Sequence, residues 1–311
     1  MTTSAAMETT RPVLLQPLDA RAPLSLEEAI AAFTTELEAK NRSQATIVAY
    51  RCDLAQFASF LKKTNYTANF VHQVERADIS EYLAELGHLG QSGITRARKL
   101  SALRELFRFL EGSGVIQRSP TVGLETPKKE KRNRSYLQPD EYRAMLSLAG
   151  GNPRDFCVLQ LFLQTGLRLT ELCELKISDI DLRAGTLQVR AGKGMQDREL
   201  SLERKATRAI KSYLDIRPKV SDDQLFLNQY AEPISPRGIQ KLVTKYTRAA
   251  GIKKQVGVHA LRHTFATIKA KQGVSPFKLR RWLGHARLDT TQIYVHMAES
   301  DDRKEMEATS L

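Results

Sequence analysis

The stretch RSPTVGLETPKKEKRNR, residues 118–134, constrains this chain more than any other. Its two prolines and its glycine forbid a continuous helix through it. Lys128, Lys129, Lys131, Arg132 and Arg134 crowd into its second half. Like charges at that spacing repel, so the segment stays in solvent or lies along an anion. The chain, at 311 residues, is also longer than one typical domain. The expected organisation is a loose tail over 1–23, a helical domain over 24–116, a basic linker over 117–135 and a second domain over 136–311.

Hydrophobic periodicity differs on the two sides of this break. Before it, Ser25 and Glu28 form a capping box that opens LEEAIAAFTTELEAK. Ser43 can cap a second helix, in which Ile47, Tyr50, Leu54, Phe57 and Leu61 recur at helical steps. Asp78 with Glu81 marks a start for ISEYLAELG, and SGITRARKLSALRELFRFLEGSGVI carries an apolar stripe of Ile94, Ala97, Leu100, Leu103, Phe107 and Leu110. That last helix also bears Arg96, Arg98, Lys99, Arg104 and Arg108, a run that is either a solvated face or a row of phosphate contacts. After the break, PDEYRAMLSLAG, PRDFCVLQLFLQTG and LTELCEL read as helices. TLQVRAGKGMQDRELSL alternates on both sides of a Gly-Lys-Gly tip, the pattern of a β-hairpin. From PRGIQKLVTKYTRAAG onward the pattern is helical again, with Ser275 as a cap and Pro276 at a first helical position. The fold class expected is mainly α with a small β-sheet (α+β) in the C-terminal domain, and all-α in the N-terminal one.

The formal net charge of +13 favours a polyanionic partner, nucleic acid or an anionic membrane surface. The longest apolar run, FCVLQLFL, is far too short to span a bilayer, and the opening MTTSAAMETTRP is small and polar rather than a signal segment. Nucleic acid is therefore the expected partner, with no membrane. Cys52, Cys157 and Cys173 make an odd number without a CxxC motif, which fits reduced thiols and a cytoplasmic location.

Four of the six histidines, His259, His263, His285 and His296, fall in one short region together with Arg262 and Tyr294. His259 and His263 are spaced to share a helix face and could hold zinc. The hydrolytic zinc motif, however, needs Glu directly after the first histidine, where this chain has Ala260, and Arg262 would bring a positive charge toward the metal. No metal and no cofactor are expected. Phosphate chemistry suits the residues better. Cleaving a phosphodiester without a metal needs fixed cations on its non-bridging oxygens, and the planar fork of arginine supplies them. A tyrosine hydroxyl can conserve the bond energy as a covalent ester, while a lysine or histidine protonates the leaving sugar oxygen.

Five motifs occur in order: TGLRLTEL (165–172), the GKG tip (192–194), HALRHTFAT (259–267), LGH (283–285) and TTQIYVH (290–296). Together they resemble the tyrosine site-specific recombinases of the phage-integrase and Xer family, over roughly residues 24–300. His259 and Arg262 keep the H-x-x-R spacing, and Tyr294 follows His285 by the family's usual interval of nine residues. The resemblance implies a helical, SAM-like core-binding domain and a C-terminal catalytic domain closing on duplex DNA. It implies that Arg168 and Arg262 clamp the scissile phosphate, that Lys193 protonates the 5′ leaving oxygen, and that His259 exchanges a proton with the Tyr294 hydroxyl. His285 then bonds a phosphate oxygen, Glu171 supports the site, and Tyr294 attacks to give a 3′-phosphotyrosyl link. His263 and His296 are expected to be structural. Arg96, Lys99, Lys128, Lys129, Arg237 and Lys241 are candidate DNA contacts.

The same resemblance implies four protomers on two DNA sites, exchange through a Holliday junction and, in some relatives, a second recombinase or an accessory protein. A short tail after Tyr294 would dock on a neighbouring subunit. Only some 24 residues precede the first core helix, too few for an arm-binding domain, so an Xer-like, resolvase or simple integrase role is expected. The alternatives are a catalytically silent DNA-binding protein, or a type IB topoisomerase or telomere-resolvase-like enzyme.

Overall fold

The computed structural model describes residues 23–64, 70–128, 136–190, 197–285, 291 and 293–294. The chain divides into two compact units, Met1–Arg132 and Asn133–Leu311.

In the first unit, α1 (Leu26–Ala39) opens on the expected box: the Ser25 hydroxyl accepts the Glu28 N–H at 3.3 Å and the Glu28 carboxylate accepts the Ser25 N–H at 2.9 Å. Ser43 caps α2 (Gln44–Lys63) in the same way. Helix α3 (Arg76–His88) begins two residues before Asp78. Glu75 is its N-cap and Asp78 sits at the third helical position, where its carboxylate accepts the Glu75 N–H at 2.7 Å. The acidic signal read as a start was thus the back-reaching half of the cap. Helix α4 (Gly93–Gly112) turns Ala97, Leu100, Leu103, Phe107 and Leu110 inward onto Phe33, Leu54, Phe57 and Ile79, while Ile94 stays exposed. Each such large side chain contributes about 1.5–3 kcal/mol by leaving water.

A buried ion pair lies in this core. Lys99 is 3% exposed and its ammonium lies 3.1 Å from Asp53 Oδ1, with Gln56 as a further acceptor; Arg98 bonds the other carboxylate oxygen from the surface. Lys99 is therefore no phosphate contact: its own carboxylate already holds it inside. Residues Ser119, Thr121 and Leu124 also pack on this unit, and Arg104 fixes the Leu124 carbonyl at 2.6 Å.

The second unit is built round α6 (Pro153–Thr165), which packs against α5 (Pro139–Ala149), α8 (Arg204–Leu214) and α10 (Val258–Lys271). Val158, Leu159, Leu161 and Phe162 are all fully buried, as an apolar run on a central helix requires. Short α7 (Leu169–Glu174) follows, then a three-stranded antiparallel sheet of β1 (Ile180–Asp181), β2 (Thr186–Val189) and β3 (Arg198–Ser201). The hairpin register pairs Leu187 with Leu200 and Val189 with Arg198, and the tip carrying Lys193 lies outside the described residues. Helices α9 (Pro236–Ala249) and α11 (Pro276–Leu283) complete the unit, the latter capped by Ser275 with Pro276 in its first turn. No helix among the described residues is long and apolar enough to cross a membrane.

Replacing Asp53 with Ala strands the Lys99 ammonium away from water, and the expected loss is about 3–5 kcal/mol. Urea unfolding followed in the first unit measures it. Adding Lys99→Met should recover much of the loss, because neither charge of the pair then remains buried.

Candidate active site

Helix α6 ends on Gly166, a left-handed C-cap with φ 63° whose N–H bonds the Phe162 carbonyl. A Cβ at this position would lie 2.4 Å from a Phe265 ring carbon, so both the backbone conformation and the packing require glycine. The cap turns the chain so that Arg168 becomes the N-cap of α7, with Glu171 one turn on. Glu171 Oε2 accepts the Arg168 backbone N–H at 2.7 Å, and Oε1 accepts the Arg168 guanidinium at 2.6 Å.

A second fixed point is the end of α11. Gly284 is left-handed (φ 62°), and the His285 N–H reaches back to the Arg280 carbonyl at 3.1 Å, closing the helix. The last carbonyls of a helix lack intrahelical partners and carry the negative end of its dipole. Here three consecutive carbonyls receive three arginines from three different elements. Arg198 Nε donates to Trp282 O at 2.7 Å, Arg262 Nη2 to Leu283 O at 2.5 Å and Arg168 Nη2 to Gly284 O at 2.5 Å. Arg262 also donates to Gly166 O at 2.6 Å, linking the two glycine turns.

The electrostatics are lopsided. Arg262 and Arg198 are buried and Arg168 is one-quarter exposed, yet Glu171 is the one carboxylate bonded to this cluster among the described residues. Burial pushes the Glu171 carboxyl up, but the Arg198 hydrogen bonds, the Arg168 N–H and the neighbouring guanidiniums outweigh it and hold it down at about 2. Arg262 is pushed down to about 10, by burial first and then by the charge of Arg168, and it stays protonated at neutral pH. Three cations facing one carboxylate in a desolvated place form a site that suits an anion.

Tyr294 and His285 complete the cluster. Thr291, Ile293 and Tyr294 have helical backbone, and Tyr294 is 1% exposed. Its hydroxyl lies 2.8 Å from His263 Nδ1, on α10 beside Arg262. The His285 ring stacks on the Tyr294 ring and its Nδ1 is 3.0 Å from the Thr291 hydroxyl. Arg168, Arg262, His285 and Tyr294 thus meet, whereas His259 is exposed one turn before His263 on the same helix. His296 lies outside the described residues. Among the described residues no group of three or more histidine, cysteine, aspartate or glutamate side chains could hold a metal ion.

Of the candidate DNA contacts, Arg237 and Lys241 are exposed on α9. Arg96 and Lys128 line an open groove of the first unit with Arg76, and Lys129 lies outside the described residues.

Residues 135–301 match the model of the phage integrase family, and residues 30–114 match the phage integrase N-terminal SAM-like domain. A tyrosine recombinase of Pseudothermotoga lettingae is 33% identical, with 85% of this chain and 92% of that protein covered. The chain belongs to the phage integrase family of tyrosine recombinases. Members are enzymes that cleave and rejoin DNA, and this chain is one of them. It is also 35% identical to the tyrosine recombinase XerC of Thermodesulfovibrio yellowstonii, over 83% of this chain and 87% of that one. The crystal structure of XerA recombinase matches with 28% identity and a TM-score of 0.54, over 91% of this chain and 99% of that one. The fold is similar to that of the XerH recombinase in its post-cleavage complex with a palindromic difH substrate (TM-score 0.73, 23% identity, 92% of this chain and 84% of that one).

Two contacts were not read from the motifs. His263, expected to be structural, bonds the tyrosine hydroxyl directly. Arg198 interrupts the inward apolar positions Leu187, Val189 and Leu200, and recognising it needs the strand register.

A folded-state carboxyl held at about 2, against an ordinary 4.5, adds stability that is complete above pH 4.5 and is lost as pH falls through 2. Glu171→Gln should therefore cost on the order of 3 kcal/mol at pH 7. Thermal unfolding of both proteins from pH 7 downward should show the gap closing over that acid range.

Proposed function

We propose that this chain is a site-specific recombinase that exchanges duplex DNA in an Xer-like, resolvase or simple integrase role. The observation that carries this reading is the set of buried arginines around Glu171, beside a tyrosine whose hydroxyl is held by a histidine. In the proposed reaction Arg168 and Arg262 turn from the α11 carbonyls to the non-bridging oxygens of the scissile phosphate. The Tyr294 oxygen attacks phosphorus, the bond to the 5′ oxygen breaks, and Lys193 gives that oxygen a proton. The tyrosine proton passes to His259, which is exposed on α10 where an entering phosphate can approach it. His285 steadies a phosphate oxygen. A 5′-hydroxyl from the partner strand then reverses the step, so the phosphotyrosyl link keeps the energy for rejoining.

Two rounds of such exchange pass through a Holliday junction, which requires four protomers and two sites in one synapse. Arg96, Lys128 and Lys129 in the first unit, and Arg237 and Lys241 on α9, are proposed to hold the DNA backbone, a function that matches the net charge. Such phosphate contacts set position and salt dependence; they do not read sequence.

Covalent capture in EDTA tests the chemistry. Protein mixed with fragmented DNA from its source organism and quenched with SDS should retain DNA that shares a sequence motif. Tyr294→Phe should retain none, and Arg262→Lys should lower the capture rate by about 10²–10³-fold. If Tyr294→Phe still traps DNA, the nucleophile is misassigned. Products from paired copies of the recovered site separate exchange from simple relaxation.

A further inference from the structure

Arg198 belongs to none of the five motifs that carry the family resemblance, yet it is tied more closely into the site than any residue outside them. It stands at an inward position of β3, paired in register with Val189, where the sheet otherwise turns Leu187 and Leu200 toward the core. Its guanidinium makes both ends of a fork with Glu171, Nη1 to Oε1 at 2.9 Å and Nη2 to Oε2 at 2.8 Å, and its Nε holds the Trp282 carbonyl. Glu171 Oε1 and Oε2 also accept from Arg168, so the two arginines share one carboxylate. Around Gly284 there is no spare volume: a Cβ there would lie 2.9 Å from Arg198 Nη1 and 3.3 Å from Arg168 Nη1.

This sharing has two consequences. The fork fixes the plane of the Glu171 carboxylate, which fixes the Arg168 guanidinium against Gly284. It also divides one negative charge between two cations, so Arg168 is not neutralised by a private partner and keeps its attraction for an anion. Without Arg198, the carboxylate would pair with Arg168 alone and the end of α11 would lose its tie to the hairpin. A pair that merely held the fold could be replaced by apolar packing without harm to the chemistry.

We propose that Arg198 is a positioning residue for phosphodiester cleavage, acting through Glu171 and the Trp282 carbonyl to set the Arg168 guanidinium and keep its charge available to the scissile phosphate. The proposal rests on the reading of Arg168 as a phosphate clamp.

The test uses the full-length protein and the DNA site recovered by covalent capture. One substrate is nicked beside an ordinary scissile phosphodiester, and a second carries a neutral methylphosphonate at that position. Arg198→Lys keeps the charge and loses the fork; Arg198→Met loses both. Each should slow adduct formation on the phosphodiester by on the order of 10²-fold. The slowing on the neutral substrate should be much smaller, because an uncharged phosphorus centre asks less of Arg168. Equal slowing on both substrates makes Arg198 a structural residue and overturns the proposal, as does an unchanged rate. Should Arg198→Met fail to fold, Arg198→Lys carries the comparison alone. If the wild-type protein forms no Tyr294 adduct, the clamp reading falls first. The Arg198→Lys crystal structure then decides the positioning claim: Arg168 leaving Gly284 supports it, and Arg168 staying on Gly284 and Glu171 overturns it.

Discussion

A desolvated excess of positive charge governs the second unit. Guanidiniums repel at close range and lose hydration when buried, so Arg168, Arg198 and Arg262 can share this place only if strong acceptors surround them. Two groups meet the need: the Glu171 carboxylate, and the three terminal carbonyls at the end of α11. Much of the local architecture follows. Helix α11 must stop at Gly284 in a left-handed turn, because a further helical turn would consume those carbonyls and a side chain would strike Arg198. Helix α6 must stop at Gly166, whose carbonyl serves Arg262. What remains, among the described residues, is an excess of positive charge over the one carboxylate.

The Tyr294 hydroxyl is stored rather than displayed. Tyr294 is packed against His263 and His285 with almost no exposure. A hydroxyl so placed is protected from solvent. Arg262 is likewise engaged with backbone carbonyls, which are neutral acceptors and easier to leave than a carboxylate, while Arg168 divides its donors between Gly284 O and Glu171. The polar groups of the cluster therefore satisfy one another.

Much of this was legible from residue order alone. Caps at Ser25, Ser43 and Ser275, the apolar stripe of α4 and the hairpin around Gly-Lys-Gly are local signals, and local hydrogen bonding or periodicity sets them. The motifs bearing Arg168, Arg262, His285 and Tyr294 were equally plain, because their chemistry is unusual in combination. Lys99 was misread because a basic run along a helix does not reveal which of its members turns inward; Asp53, two helices earlier, settles that. The bond between His263 and Tyr294 was not legible because the two residues lie on separate segments.

The sequence by itself determined a helical class with one small sheet, a polyanionic partner and the motifs that mark the family. These depend on composition, short-range periodicity and residue chemistry, which are properties of the chain before it folds. Only the tertiary structure decided that Arg198 faces the site, that His263 rather than His259 holds the tyrosine, and that one helix end orients three arginines. Each of these depends on strand register or on which helix termini meet. Contacts of that kind join residues such as Arg168 and Gly284, more than a hundred positions apart, and no local pattern encodes them.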